Sequence, residues 1–142
     1  MRKRRLPAAL AALFLVYVPL ALWARSSYVA PAPKGRVNVP LLRPFGREQE
    51  SAFKARFERN ILPMDMPPLR GLGDDPNIKG DARSPVMVYE DDRPLGPGHS
   101  NFADIAKLGM GRFAHWRGNI FFSASDNTNP NTNGRRYWVV VP

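Results

Sequence analysis

Residues 109–142, GMGRFAHWRGNIFFSASDNTNPNTNGRRYWVVVP, decide how this chain is read. Two runs of aromatic and β-forming residues, 111–116 and 120–125, flank Arg117-Gly118-Asn119, and that pattern predicts a hairpin. Residues 135–141 (RRYWVVV) predict a last strand, with Tyr137, Val139 and Val141 on one face and Arg136, Trp138 and Val140 on the other. Both faces are mostly apolar, which implies a central strand or a sheet covered on both sides.

Upstream, residues 86–90 (VMVYE) read as a strand and 91–99 as a turn-rich connection. Residues 101–108 (NFADIAKL) predict a short helix with Phe102, Ile105 and Leu108 spaced for burial. Asn101 or Ser100 caps its start, Asp104 sits where a reciprocal cap would, and Gly109 closes it. Residues 46–60 (GREQESAFKARFERN) predict an amphipathic helix, with Ala52, Phe53 and Phe57 on one side and a favourable Glu50–Lys54 i,i+4 pair. Residues 61–84 are broken by proline and glycine into a loop, which Met64, Met66, Leu69 and Leu72 could pin to the core. Residues 26–44 contain four prolines and read as an extended tether.

The expected fold class is therefore α+β: an N-terminal transmembrane helix, a proline-rich tether and a small antiparallel β-sheet domain with one or two helices. The divisions are 1–25 for the basic tail and anchor, 26–44 for the tether, 45–83 for helix and loop wrap, and 84–142 for the β-rich domain. Roughly four strands are visible, short of the seven or so of a full β-sandwich.

The N-terminus carries the targeting signal. Residues 6–23 contain no charge, and a bilayer core of about 30 Å needs roughly 20 apolar residues in a helix. Arg2, Lys3, Arg4 and Arg5 precede this run and only Arg25 closely follows it. Basic residues are retained on the cytoplasmic side, so the N-terminus stays inside and the remainder is exported. This predicts a single-pass signal anchor in a bacterial inner membrane, with the C-terminal domain in the periplasm or outside. The alternative is a secreted protein released by signal cleavage, although Leu22-Trp23-Ala24 and Ala24-Arg25-Ser26 are poor cleavage sites.

The net charge of +9 is largely topogenic. Five of the 21 basic residues and none of the 12 acidic ones lie within residues 1–25. Beyond Arg25 the balance is ordinary, and a nucleic-acid partner is not expected. The chain contains no cysteine, which excludes disulfides and thiolate metal sites.

The Asn-rich segment DNTNPNTNG, residues 126–134, is the most unusual local composition. Asn129, Asn131, Asn133 and Gly134 imitate the opening of a calcium loop, but the first ligand is not Asp and the twelfth position is Val140 instead of Glu. No metal and no cofactor are expected. Two readings remain for the loop: a hairpin whose Asn and Asp side chains bond their own backbone, or amides that read sugar hydroxyls. For the second, the candidate ligand-binding residues are Trp116, Asp126, Asn127, Asn129, Asn131, Asn133 and Arg135, with an aromatic ring to stack on the C–H face of a sugar. A hydrolytic set drawn from Ser123 or Ser125, His115 and Asp126 lacks a G-x-S-x-G elbow, and neighbours along one strand do not converge. Glu90, Asp91 and Asp92 are adjacent and point to alternating sides, whereas glycosidases need two carboxylates facing across a cleft. No catalytic residue is assigned. Arg93, Arg112, Arg135 and Arg136 could hold an anionic group, but solvated faces or pairs with Glu90–Asp92 are the favoured reading.

Several segments resemble a small β-rich module of bacterial proteins associated with cell-surface polysaccharide. They are Ser84–Val88, Asp91–Leu95, His99-Ser100, Ile105, Gly109–Phe113, His115-Trp116, Ile120–Asn127 and Asn133–Tyr137, so the similarity covers residues 84–137 alone. The resemblance implies an accessory, carbohydrate-linked role and carries over no catalytic residues. The leading expectation is a membrane-anchored, non-catalytic accessory protein that binds a glycan or a polysaccharide-assembly component. The alternatives are an envelope protein–protein interaction module and, next, a small hydrolase acting on surface polysaccharide.

Overall fold

The computed structural model of the chain describes residues 5–56, 73–75, 77–78 and 80–142. The chain divides into two compact units, Met1–Ala30 and Pro31–Pro142.

The first unit is a single helix, α1 (Arg5–Ser27), of 23 residues. At 1.5 Å per residue it is about 34 Å long, slightly more than the hydrocarbon thickness of a bilayer. Leu10–Ser27 is apolar and long enough to cross a membrane by length and composition. Leu13, Phe14, Val16, Tyr17, Leu20 and Trp23 are all exposed, so apolar side chains ring the helix with no protein core beneath them. Pro19 lies inside the helix, which continues past it to Ser27.

Among its described residues the second unit contains two four-stranded antiparallel sheets and one short helix. The first sheet runs β1 (Val37–Leu41), β8 (Tyr137–Val141), β4 (Met87–Glu90), β5 (Arg93–Pro94). The second runs β2 (Gly46–Gln49), β3 (Ala52–Arg56), β7 (Asn119–Phe122), β6 (Phe113–Trp116). Alternation along each strand builds one core between the sheets. Val37, Val39 and Leu41 of β1, Val88 of β4, and Tyr137, Val139 and Val141 of β8 meet Phe53 and Ala55 of β3, Phe113 of β6, and Ile120 and Phe122 of β7. Phe45, from the β1–β2 link, packs edge-on against Phe122 at 5.2 Å and Tyr137 at 5.7 Å. Phe122 and Tyr137 lie 4.9 Å apart, so one aromatic cluster joins the two sheets.

The outer face of the second sheet is covered by α2 (Phe102–Lys107). Ile105 and Ala106 pack on Ala52, Ala114 and Phe121, with Phe102 and Trp116 at the margin. Asn101 caps α2 by accepting the Asp104 N–H at 2.8 Å, and Gly109, at φ +60°, donates back to the Asp104 carbonyl. The strands expected at 86–90, 111–116, 120–125 and 135–141 and the helix at 101–108 are all present, with slightly shorter bounds. β8 is central, as its two apolar faces required.

The N-terminal half of this unit differs from expectation. The helix expected over 46–60 is instead the β2–β3 hairpin as far as Arg56; residues 57–60 lie outside the described residues. The spacing of Ala52, Phe53 and Phe57 fits a helix, but Phe53 and Ala55 also alternate, and pairing Phe53 with Phe122 buries both rings. Tertiary packing overrides propensity in so short a run. Lys54 consequently pairs across the hairpin with Glu48 at 2.9 Å, not with Glu50. The stretch 26–44, expected as an extended tether, contains a strand instead, since Val37–Leu41 pairs with the whole of β8. Pro40 is accommodated because β1 is an edge strand and Pro lacks only a donor that an edge need not supply. With β1, β2, β3 and β5 added to the expected four, the strand count reaches eight and the sheets stack. The β-rich residues 84–142 belong to one compact unit that begins at Pro31. Met64, Met66, Leu69 and Leu72 lie outside the described residues.

Phe122→Ala should remove about 3–5 kcal/mol of stability, read as a lower urea midpoint for the full chain in neutral detergent. Leu42→Ala, on a side chain 67% exposed, should stay within about 0.5 kcal/mol.

Candidate functional site

The Asn-rich loop between β7 and β8 is organised by one buried acid. Glu90, at the end of β4, is 8% exposed. Its carboxylate accepts hydrogen bonds from the Ser125 N–H and hydroxyl, from Arg135 at 3.1 Å and from the Tyr137 hydroxyl at 3.0 Å. A buried carboxylate with four donors is satisfied, which offsets the cost of removing it from water. Burial pushes the Tyr137 phenol above its ordinary value. Arg135 also forks onto Asp126 at 2.9 and 2.6 Å. That guanidinium, followed by the Thr128 hydroxyl, holds the Asp126 carboxyl well below the usual carboxylate range.

The asparagines are similarly committed. Asn127 accepts the Met110 N–H and donates to the Leu108 carbonyl, tying the loop to the end of α2. Asn129 accepts the Asn131 N–H. Asn131 forms a reciprocal pair with the Phe45 backbone, accepting its N–H at 2.8 Å and donating to its carbonyl at 3.0 Å. Asn133 accepts the Arg135 N–H and donates to Thr128 and to the Tyr137 hydroxyl. Gly134 takes φ +75°. The loop thus brings Asp126, Asn127, Asn129, Asn131, Asn133 and Arg135 together, but bonds most of their polar atoms internally. Trp116 is elsewhere: it packs beside Phe121 on the outer face of the second sheet, with the Arg117 guanidinium 4.6 Å above its ring.

The suggested hydrolytic grouping does not converge. Ser123 donates to the Arg112 carbonyl, Ser125 to Glu90, and Asp126 is held by Arg135. His115 meets a different serine, Ser84, through Nδ1 at 2.7 Å, while its Nε2 lies 2.9 Å from the Arg117 carbonyl. A carbonyl only accepts, so Nε2 carries the proton and the Ser84 hydroxyl donates to Nδ1. Burial lowers the His115 pKa, which keeps the ring neutral. Asp74, 2% exposed, accepts the Ser84 N–H and a 2.8 Å bond from His99 Nδ1. Ser84 is buried, and its oxygen also accepts the Val86 N–H, so this cluster fastens strand ends together. Among the described residues no group of three or more His, Cys, Asp or Glu is placed to hold a metal ion.

The concavity lies where the sequence pointed to tether and helix. A groove of about 500 Å³ opens between β1, the β1–β2 link and the β2–β3 hairpin. Pro40, Leu42 and Pro44 form an apolar wall, and Arg43, Lys54, Arg56 and Glu48 supply charge. Arg43 is fixed in place: Nε donates to the Pro130 carbonyl at 2.8 Å, Nη2 donates to the Arg135 carbonyl, and the guanidinium lies 5.7 Å from the Phe45 ring centre. The readable signal was the alternation of Val37, Val39 and Leu41, which the surrounding prolines masked. The four arginines named from sequence do not line this groove.

Comparison with known protein families, with curated proteins and with solved structures finds no match.

Asp126→Asn should lower stability at pH 7 by about 0.5–1 kcal/mol, the range for a partly exposed ion pair. Because the folded-state carboxyl is depressed, this contribution is complete above about pH 4, the unfolded value. It is lost as pH falls through the folded value, so urea midpoints of variant and parent should converge in strong acid.

Proposed function

We propose that the chain is a single-pass, membrane-anchored, non-catalytic accessory protein whose exported domain binds a glycan or a polysaccharide-assembly component. The observation that carries this reading is the groove beside β1. Its apolar wall of Pro40, Leu42 and Pro44 suits the C–H face of a sugar ring, and its charged rim suits the hydroxyl edge. At about 500 Å³ it is the size of a small-ligand site. Among the described residues that line it, Glu48 is the one carboxylate, whereas sugar hydrolysis ordinarily uses two. That composition favours binding over catalysis. The resemblance of residues 84–137 to a polysaccharide-associated module points the same way.

The membrane part rests on α1 and on charge. The uncharged run 6–23 follows four consecutive basic residues and precedes Arg25, which favours a cytoplasmic N-terminus and a domain on the far side of a bacterial inner membrane. Alkaline phosphatase fused after Pro142 should then be active, since it matures only outside the cytoplasm. An inactive fusion in a stable, membrane-bound chain reverses the orientation.

Binding is tested by calorimetric titration of the full chain in neutral detergent with a panel of neutral and acidic oligosaccharides. At least one should bind saturably, and Leu42→Ala should weaken it about fivefold, the equivalent of a lost apolar contact. A flat response across the whole panel refutes the glycan reading.

A further inference from the structure

We propose that the groove selects glycans carrying an oxyanion, either the carboxylate of an acidic sugar or the phosphate of a sugar ester; this deepens the glycan reading and rests on it. Three cations, Arg43, Lys54 and Arg56, line the groove against one carboxylate, Glu48. Glu48 is committed to Lys54 at 2.9 Å. Arg43 donates to the main-chain carbonyls of Pro130 and Arg135, which carry no net charge, and it makes no ion pair among the described residues. Arg56 is exposed and makes no ion pair among the described residues.

The choice between a neutral and an anionic ligand follows from desolvation. A neutral ring seated on the Leu42 wall would strip water from the neighbouring guanidinium groups and return hydroxyl hydrogen bonds but no compensating charge, a weaker exchange than an anion offers. An oxyanion at the same place replaces that water with charge-assisted bonds, for which the planar guanidinium is well matched. Arg43 is already held against Phe45 and two carbonyls, so little side-chain freedom is lost on binding. Glu48 opposes the anion and sets the affinity downward. Its removal therefore has the opposite effect from removal of Arg56, a signature that a purely apolar or neutral site does not produce.

The test titrates the full chain in neutral detergent with trigalacturonate, glucose 1-phosphate, maltotriose and inorganic phosphate. At least one of the two anionic sugars should bind tenfold or more tighter than maltotriose. That affinity should fall several-fold between 50 and 500 mM NaCl, as the Debye length shrinks below about 10 Å. Glu48→Gln should tighten binding about three- to tenfold and Arg56→Gln should weaken it by a similar factor; both side chains are exposed, and an unchanged urea midpoint confirms an intact fold. Equal or tighter binding of maltotriose overturns the charge selection and leaves the glycan reading standing. Silence from all three sugars overturns both. Inorganic phosphate binding as tightly as glucose 1-phosphate, with trigalacturonate silent, marks an anion site without a sugar and also overturns the proposal. So does a Glu48→Gln affinity equal to or weaker than the parent's.

Discussion

The buried Glu90 carboxylate is the constraint on which the rest of this domain depends. An acid at the rim of an apolar core persists only when its lone pairs are filled. Here the fillers are Ser125, Arg135 and Tyr137, drawn from both ends of the β7–β8 connection. The long polar loop is thereby pulled onto the first sheet. Once there, it presents Asn131 to the backbone of Phe45, and Phe45 places its ring between Phe122 and Tyr137. The same loop offers the carbonyls of Pro130 and Arg135 to Arg43, which faces the groove. A buried charge on β4 is thus linked, through three sets of hydrogen bonds, to the position of a cation on the surface.

That chain of contacts agrees with one of the two readings of the Asn-rich loop, in which its Asn and Asp side chains bond backbone. Its composition drew attention as a recognition surface, but its amides mostly answer backbone groups of the loop and its neighbours. The loop supports the groove from behind. The strands from residue 86 onward were legible because each is a contiguous apolar run bounded by turn formers, and α2 because its cap residues stand in order. The strands before residue 57 were not. Val37, Val39 and Leu41 alternate correctly, yet Pro40 in their midst suggested an extended linker until an edge position explained it. Phe53 satisfied helix and strand periods equally, and only its partner Phe122, far along the chain, decided between them. The groove is built from these two misread segments, which is why no local motif announced it.

The two histidines show the same limit. The sequence placed His115 near Ser123 and Ser125, whereas the fold brings it to Ser84. Which serine a histidine meets is settled by strand pairing, and adjacency in sequence carries little of that information. His99, bonded to the buried Asp74, joins the connection after β5 to the segment before β4. His115 on β6 and His99 in the connection after β5 thus each tie a second segment in place, Ser84 and Asp74 respectively.

The edges of the two sheets have a consequence for assembly. An open edge invites another chain to add a strand, and each of the four is closed by a different device. β1 carries Pro40, and β5 is two residues long and ends in Pro94. β2 displays Arg47 and Glu48. On β6 the carbonyls of Phe113 and His115 are already taken by the N–H groups of Ser100 and Asp74. Among the described residues, every edge on which a second chain would add a strand is thus blunted, which disfavours templated growth into fibrils and strand-swapped pairs.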